Sequence, residues 1–220
     1  IVGSGLMPTI LEYIDFITMS AITAAQNLEL GVPQEIKDTA MAYLVVVLEN
    51  RSDDRVDEDV QELAELATDL GALDLYVLPT GSGAALIDAR EKAFWTAKAN
   101  NADDIIDMVV PRGSIPEYLG AVQAIGQDTG SLVVGCGHAG DGNVHLSVFQ
   151  PDVETRKAVV GLILRAGADL GGAVSGEHGI GTEKKAYLAA IEDPAKLDLM
   201  RRIKTGFDPA GILNPGVIFD

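Results

Sequence analysis

Hydrophobic residues along the chain occur in two patterns, at helical spacing and in short continuous runs. The alternation of these two patterns predicts a domain of mixed helices and strands. Apolar residues recur at helical spacing over residues 8–28, which predicts an opening helix that ends before Gly31 and Pro33. A short apolar run rich in β-branched residues follows at residues 42–48 and is bounded by polar residues. This run predicts a buried strand.

The same two patterns continue toward the C-terminus. Further helices are predicted over residues 56–70, 84–99, 114–127, 153–170, 182–191 and 194–205, and further strands over residues 75–78, 105–110, 132–137 and 144–149. A glycine-rich turn without a helix joins the last two strands, which favours a hairpin and therefore an antiparallel pair. We predict an α+β fold with an antiparallel sheet and helices mainly on one face.

Composition and charge narrow the classes of partner. Sixteen Lys and Arg stand against 33 Asp and Glu, and the net charge of −17 repels phosphate backbones and anionic lipid headgroups. We therefore expect neither nucleic acid nor a membrane surface as partner. Every uncharged stretch is shorter than the roughly 18 residues of a membrane-spanning helix, so no span is predicted.

The single cysteine, Cys136, excludes an internal disulfide framework and a zinc site built from cysteines. Histidines and carboxylates are left as the candidate metal ligands, and a cytoplasmic location is expected. A length of 220 residues fits one large domain or a piece of a longer protein. The start at Ile1, without a methionine or a leader segment, favours the second interpretation.

All three histidines lie in glycine-rich segments. His138 and His145 flank the predicted hairpin turn, so that the hairpin can bring their imidazoles together. Glu177 directly precedes His178, and adjacent residues in an extended segment point in opposite directions. One of them could therefore bind a metal while the other faces a substrate. Two histidines and a carboxylate leave coordination positions open, as catalytic metal sites do, although unrelated polar loop residues remain the alternative.

Residues 135–140, Gly-Cys-Gly-His-Ala-Gly, match the glycine fingerprint of dinucleotide-binding loops and follow a predicted strand. That fingerprint requires a helix to begin at its third glycine, where the helix N-terminus meets the pyrophosphate. Here the loop leads into another strand. We therefore do not expect this loop to bind a nucleotide.

Three segments together resemble the C-terminal domain of FAD-linked oxidases in order and spacing: residues 137–145, residues 175–181 with Lys184 close behind, and residues 207–216. This family includes the glycolate oxidase D subunit, D-lactate dehydrogenases and D-2-hydroxyglutarate dehydrogenase. The resemblance implies a ferredoxin-like cap domain over residues 1–220 that binds metal and substrate. It also implies an N-terminal FAD-binding domain upstream, which is absent from this chain.

The resemblance further implies roles for individual residues. Positions matching His138, His145 and Glu177 bind a divalent metal in this family, commonly zinc. The position matching His178 is the implied general base, and the position matching Asn143 contacts substrate.

Three other positions are candidates for contacts with the flavin or with the substrate carboxylate. The segment around Asn214 is implied to close the domain near the flavin. Many members carry Trp-x-x-Arg, whose arginine pairs with the substrate carboxylate, whereas Trp95 is followed by Lys98 here. Lys98 can supply charge but not a bidentate fork. Arg112 is a second candidate for the substrate carboxylate.

The function implied is oxidation of a small D-2-hydroxy acid, of the D-lactate or glycolate type, to the 2-keto acid. FAD on the missing domain would accept a hydride while the metal polarises the substrate and His178 takes the hydroxyl proton. The chain alone is then expected to be inactive, with its own FAD domain and an electron acceptor or other oxidase subunits as partners. Two alternatives remain open, a metal-dependent hydrolase and a non-catalytic module that binds metal and ligand.

Overall fold

The computed structural model describes residues 1–219 and contains six strands and nine α-helices within that range. The strands are β1 (Ile10–Asp15), β2 (Ala42–Val47), β3 (Asp104–Val109), β4 (Leu132–His138), β5 (Asn143–Phe149) and β6 (Ala173–Val174). The helices are α1 (Phe16–Ala25), α2 (Gln34–Thr39), α3 (Asp53–Asp69), α4 (Thr80–Glu91), α5 (Ala93–Ala99), α6 (Ile115–Thr129), α7 (Val153–Asp169), α8 (Lys185–Ile191) and α9 (Pro194–Phe207).

The six strands form one sheet in the order β2-β1-β4-β5-β3-β6, and every neighbouring pair is antiparallel. The predicted α+β fold with an antiparallel sheet is confirmed. The run β3-α6-β4-β5-α7-β6, with strand order β4-β5-β3-β6, is the βαββαβ arrangement of ferredoxin-like folds.

The larger core lies between the sheet and helices α6 and α7. Alternate residues of β3 and β5 enter it, among them Ile106, Met108, Val144, Leu146 and Val148. Because side chains alternate between the faces of a strand, the residues between these positions, Asp107 and His145 included, point to the opposite face. Because the apolar side chains of β3 and β5 are buried on one face of the sheet, Asp107 and His145 lie on the opposite face.

That opposite face is covered in part by α1 and α4. A smaller core joins Ile14 of β1, Met19 and Ile22 of α1, Leu86 of α4 and Cys136 of β4. Helix α1 begins directly after β1 because the Asp15 carboxylate caps it, accepting a hydrogen bond from the Thr18 amide at 2.7 Å. Around His145, this face lines a groove that residues of α1 and α4 also line.

Two sequence predictions near the N-terminus are corrected by the structure. The helix predicted over residues 8–28 is confirmed only for its second part, α1, because its first part is strand β1, which pairs with both β2 and β4. The strand predicted over residues 42–48 exists as β2, but it is not buried. It lies at the edge of the sheet, where Leu44 is 53% exposed.

The remaining differences are local. The strand predicted over residues 75–78 is wrong, because the described residues 71–79 form no helix or strand. The helix predicted over residues 84–99 is two helices, α4 and α5, which meet at Lys92. Helix α2 and the two-residue strand β6 were not predicted, whereas the other predicted elements are confirmed within a few residues at each end.

Among residues 1–219, no helix combines the length and apolarity that crossing a bilayer would require.

Candidate active site

The β4–β5 hairpin brings His138 and His145 together. Cys136 pairs with His145 and His138 pairs with Asn143, and the amides of Asp141 and Gly142 close the turn onto the His138 carbonyl. The two imidazole centroids are 5.4 Å apart, with the rings nearly perpendicular. The hairpin predicted from the sequence is therefore confirmed.

The loop after β6 places Glu177 against both histidines. Its Oε1 lies 3.1 Å from Nε2 of His145 and 3.7 Å from Nε2 of His138. One ligand atom from each of these three residues lies within 4.8 Å of the other two. The structure thus brings together the three residues that the family resemblance assigns to a metal.

Asp107 holds this loop on the sheet. Its Oδ2 accepts hydrogen bonds from the Ser175 hydroxyl at 2.9 Å, from the Glu177 amide at 2.9 Å and from the His178 amide at 2.8 Å. Burial alone would raise the pKa of Asp107, but these hydrogen bonds to its charged form outweigh burial and hold the pKa below its usual value. An ionised carboxylate therefore lies directly behind Glu177 and His178.

The loop also passes close to Asn143. A Cβ at Gly176 would lie 2.7 Å from Nδ2 of Asn143 and 2.6 Å from Cγ2 of Val109, so only glycine fits there. Asn143 is buried, and its Oδ1 has no hydrogen-bond partner within residues 1–219. Its amide lies at the base of the loop that carries Glu177.

His178 lies beside the candidate metal-ligand group of His138, His145 and Glu177. Its ring stacks on that of His145 with centroids 4.8 Å apart and planes 13° apart, and its Nε2 is 3.8 Å from Oε1 of Glu177. The side chain is 42% exposed. His178 is thus the most accessible of the three imidazoles.

Burial sets the charge state of His145. It lowers the pKa of this imidazole to about 4, an effect that the Asp107 carboxylate only partly opposes. Nδ1 of His145 lies 3.7 Å from Oδ1 of Asp107. At neutral pH His145 is a neutral imidazole, the form that binds metal ions.

A second carboxylate lies behind His138. Nδ1 of His138 is 2.5 Å from Oε1 of Glu12, and Oε2 of Glu12 is 2.5 Å from Nε of Arg90. The side chains of Glu12 and Arg90 are only 7% and 12% exposed. A carboxylate beside the second ring nitrogen is the usual arrangement for metal-binding histidines, because it orients the ring and raises its basicity.

The donor set fits a divalent ion. Two imidazoles turn their Nε2 atoms toward one carboxylate, both have a carboxylate beside Nδ1, and no cysteine is among the ligands. Two histidines with one carboxylate, partly open to solvent, form the type of site that binds catalytic zinc.

The glycine-rich loop at residues 135–140 does not fit a dinucleotide. A Cβ at Gly135 or at Gly137 would collide with the backbone of β5. These glycines let the two strands approach closely, and the chain continues into the hairpin rather than into a helix. FAD therefore has no phosphate-binding loop at this position.

Other candidates from the sequence lie elsewhere. Lys98 is exposed, and its Nζ donates to the Ala102 carbonyl at 3.1 Å. Asn214 is exposed in a turn closed by the Val217 amide. Arg112 is exposed near the hairpin and donates to the Gly140 carbonyl at 3.3 Å. Of these three, only Arg112 lies near one of the metal-ligand residues.

Sequence reasoning missed three residues of the site. Asp107 had a visible signal, because it interrupts the apolar run at residues 105–110. Glu12 was hidden by the wrong helix prediction. Arg90 was not considered, although its Nη2 lies 3.4 Å from Nδ1 of His138.

Two cavities meet at Arg90. One, of about 550 Å³, is also lined by Glu12, His138 and Arg112. The other, of about 490 Å³, is a groove that is also lined by His145, Glu177 and His178. A small molecule can therefore reach the candidate site through these cavities.

Comparison with known proteins agrees with the resemblance. A family model described as "FAD linked oxidases, C-terminal domain" matches residues 1–218. An uncharacterized FAD-linked oxidoreductase from Mycobacterium tuberculosis is 55% identical over 219 residues, which are 100% of this chain and 48% of that protein.

More distant relatives carry functional names. A D-lactate dehydrogenase from Anaerostipes hadrus is 32% identical over 202 residues, covering 84% of this chain and 41% of the relative. The glycolate oxidase subunit GlcD from Escherichia coli is 31% identical over 234 residues, covering 98% of this chain and 43% of the relative. The chain thus spans about half the length or less of these relatives.

Proposed function

The chain belongs to the family of FAD-linked oxidase C-terminal domains, and from that premise we propose that it is the metal- and substrate-binding cap of a flavoprotein that oxidises a D-2-hydroxy acid. The observation that carries the proposal is the convergence of His138, His145 and Glu177 within 4.8 Å, with His178 beside them. The names of the D-lactate dehydrogenase and glycolate oxidase relatives support the choice of substrate class.

His138, His145 and Glu177 would hold the divalent ion, for which zinc is the proposed identity. When bound, the ion supplies positive charge that lowers the pKa of a substrate hydroxyl. The protein's own part is to keep His145 neutral and to place a carboxylate behind each imidazole. Burial keeps His145 neutral, and Glu12 and Asp107 lie beside Nδ1 of His138 and of His145.

His178 is the proposed general base. It is exposed at the groove, and its position beside Glu177 puts it within reach of a substrate held next to the three ligands. The Arg90 guanidinium faces both cavities and is the proposed partner of the substrate carboxylate. Asn143 and Arg112 remain proposed substrate contacts at the hairpin.

FAD, when bound on the N-terminal domain that we propose, supplies the acceptor for the hydride that leaves C2 of the substrate. His178 takes the hydroxyl proton in the same reaction. The 2-hydroxy acid therefore loses one hydride and one proton and becomes the 2-keto acid.

The test uses the full-length protein under anaerobic conditions, with bleaching of the flavin absorbance by D-lactate or glycolate as the readout. His178→Asn is expected to keep its metal while the rate of flavin reduction at saturating substrate falls by about 10²–10⁴-fold, the range for general acid–base catalysis. Glu177→Ala is expected to lose metal and turnover together. Glu183→Ala, an exposed glutamate of the same loop, is the matched control.

Other outcomes would remove the proposal. A flavin that no 2-hydroxy acid bleaches, together with metal-dependent ester or amide hydrolysis, would favour a hydrolase. Loss of metal from His178→Asn as complete as from Glu177→Ala would make His178 a ligand rather than the base.

A further inference from the structure

The groove beside His178 continues well past the metal-ligand group. Its volume of about 490 Å³ falls within the range of small-molecule pockets. His145, Glu177 and His178 line one end. The space beyond them is available to whatever is attached to the reacting carbon of a bound substrate.

The groove beyond the histidines has largely apolar walls. Strand register explains the floor, because Ile105 of β3 and Val134 of β4 both pair with Ser147 of β5, two residues along from His145 and on the same face. Helices α1 and α5 form the sides. Apolar side chains that they contribute are Ile17, Ala21, Phe94 and Ala97.

The groove offers a substrate little positive charge. Within residues 1–219, the only arginine or lysine that lines it is Arg90, which is paired with Glu12 and is already the proposed partner of the carboxylate of the 2-hydroxy acid moiety. The other charged side chains there, Glu91 and Glu177, are acidic. A second carboxylate on the substrate would find no free cation, and the polar residues Thr18, Thr96, Asn100 and Ser147 offer it only neutral groups. This is unfavourable because neutral partners compensate only in part for the water that the charge loses.

We propose that the substrate of this site is a 2-hydroxy acid with an apolar side chain of several carbons, rather than glycolate, lactate or a dicarboxylate. This inference rests on the proposed function and specifies its substrate class. The metal-ligand group and Arg90 take the 2-hydroxy acid moiety, and the side chain lies along Ile105, Val134 and Phe94. The reaction is unchanged: the substrate would lose its C2 hydride, for which FAD would be the acceptor, and its hydroxyl proton, which His178 would take.

The experiment measures kcat/KM of the full-length flavoprotein with D-lactate and a series of D-2-hydroxy acids of increasing unbranched side chain up to 2-hydroxyoctanoate. D-2-Hydroxyglutarate is included as the acidic comparison for 2-hydroxypentanoate, which has the same number of carbons. A rise of about fourfold for each added methylene is expected, from the transfer free energy of a buried methylene. 2-Hydroxypentanoate is expected to exceed 2-hydroxyglutarate.

The outcomes separate this inference from the proposed function. Oxidation of lactate with no gain on lengthening, or with 2-hydroxyglutarate preferred, overturns the inference and leaves the proposed function intact. Oxidation of none of these acids overturns both.

Variants that place a larger side chain in the groove test whether the substrate side chain binds there. Ala97→Phe on α5 is expected to lower the ratio of kcat/KM for 2-hydroxyoctanoate to that for lactate, whereas Ala99→Phe on the same helix, outside the groove, leaves the ratio unchanged. Ala21→Phe on α1 narrows the groove from the other side and replaces the first variant if that one does not fold. An unchanged ratio in a folded groove variant would contradict the assignment.

Discussion

Asp107 and His145 face each other across neighbouring strands, with Oδ1 of the carboxylate 3.7 Å from Nδ1 of the imidazole. Both atoms are buried, and neither has a hydrogen-bond partner within residues 1–219. The other oxygen of Asp107 holds the loop that carries Glu177 and His178. One carboxylate thus faces one proposed metal ligand, His145, and anchors the loop that carries another, Glu177.

We predict that Asp107→Asn weakens metal binding by about 10–100-fold, the usual effect of removing a carboxylate behind a ligand histidine. The amide keeps the size of the side chain but removes the charge that faces His145. The measurement is the metal Kd from competition with a chelator. Asp104→Asn on the same strand, which breaks an ion pair with Lys184, is the control and should leave the Kd unchanged. Equal Kd values for both variants would show that Asp107 only supports the fold.

The buried ion pair of Glu12 and Arg90 leads to a prediction about stability. Glu12→Gln leaves the Arg90 guanidinium buried without its countercharge, and the free energy of unfolding is expected to fall by about 3 kcal/mol. Chemical denaturation measures this change. The exposed pair of Arg55 and Glu58 is the control, for which Glu58→Gln should change the free energy of unfolding by less than about 1 kcal/mol. A similar, small effect at both sites would mean that Glu12 is solvated.

Burial of His145 predicts an unusual titration in the metal-free protein. Its pKa of about 4 lies below the ordinary 6.5, so its imidazole should remain neutral at pH 6. The unfolded chain takes up this proton at higher pH than the folded chain does, so the His145 contribution to stability is complete above pH 6.5 and is lost as pH falls toward 4. Histidine NMR titration is the direct measurement, and a midpoint near 6.5 for His145 would contradict the burial argument.

Flavin content tests where FAD binds. Residues 1–220 expressed alone should purify without flavin, because the glycines of residues 135–140 pack against β5 instead of forming a phosphate-binding loop. The full-length protein should purify with FAD. Bound FAD in the isolated chain would refute the proposed division into an FAD domain and a cap.

Local sequence patterns were sufficient to predict the hairpin at the centre of this fold. The β4–β5 hairpin could be predicted because two apolar runs flank a glycine-rich turn, and His138 and His145 came with it. Glu177 and His178 could be recognised as candidates from their glycine-rich segment, but their separate roles came only from the resemblance, since no local rule places the loop after β6 over the hairpin. The contacts that place it come from Asp107, about 70 residues earlier in the chain.

Contacts between residues far apart in the chain determine the features that local sequence patterns could not predict. Residues 10–15 have apolar spacing compatible with a helix, and pairing with β2 and β4 makes them a strand instead. The contact between Glu12 and His138 joins residues 126 positions apart. Trp95 lies on the short separate helix α5 and is 71% exposed.

The central claim is that His138, His145 and Glu177 bind one divalent metal ion, and elemental analysis of purified full-length protein tests it most directly. We expect close to one ion per chain in the wild type and in Glu183→Ala, and almost none in folded His138→Ala, His145→Ala and Glu177→Ala. Equal metal content in the wild type and in all three ligand variants would contradict the account.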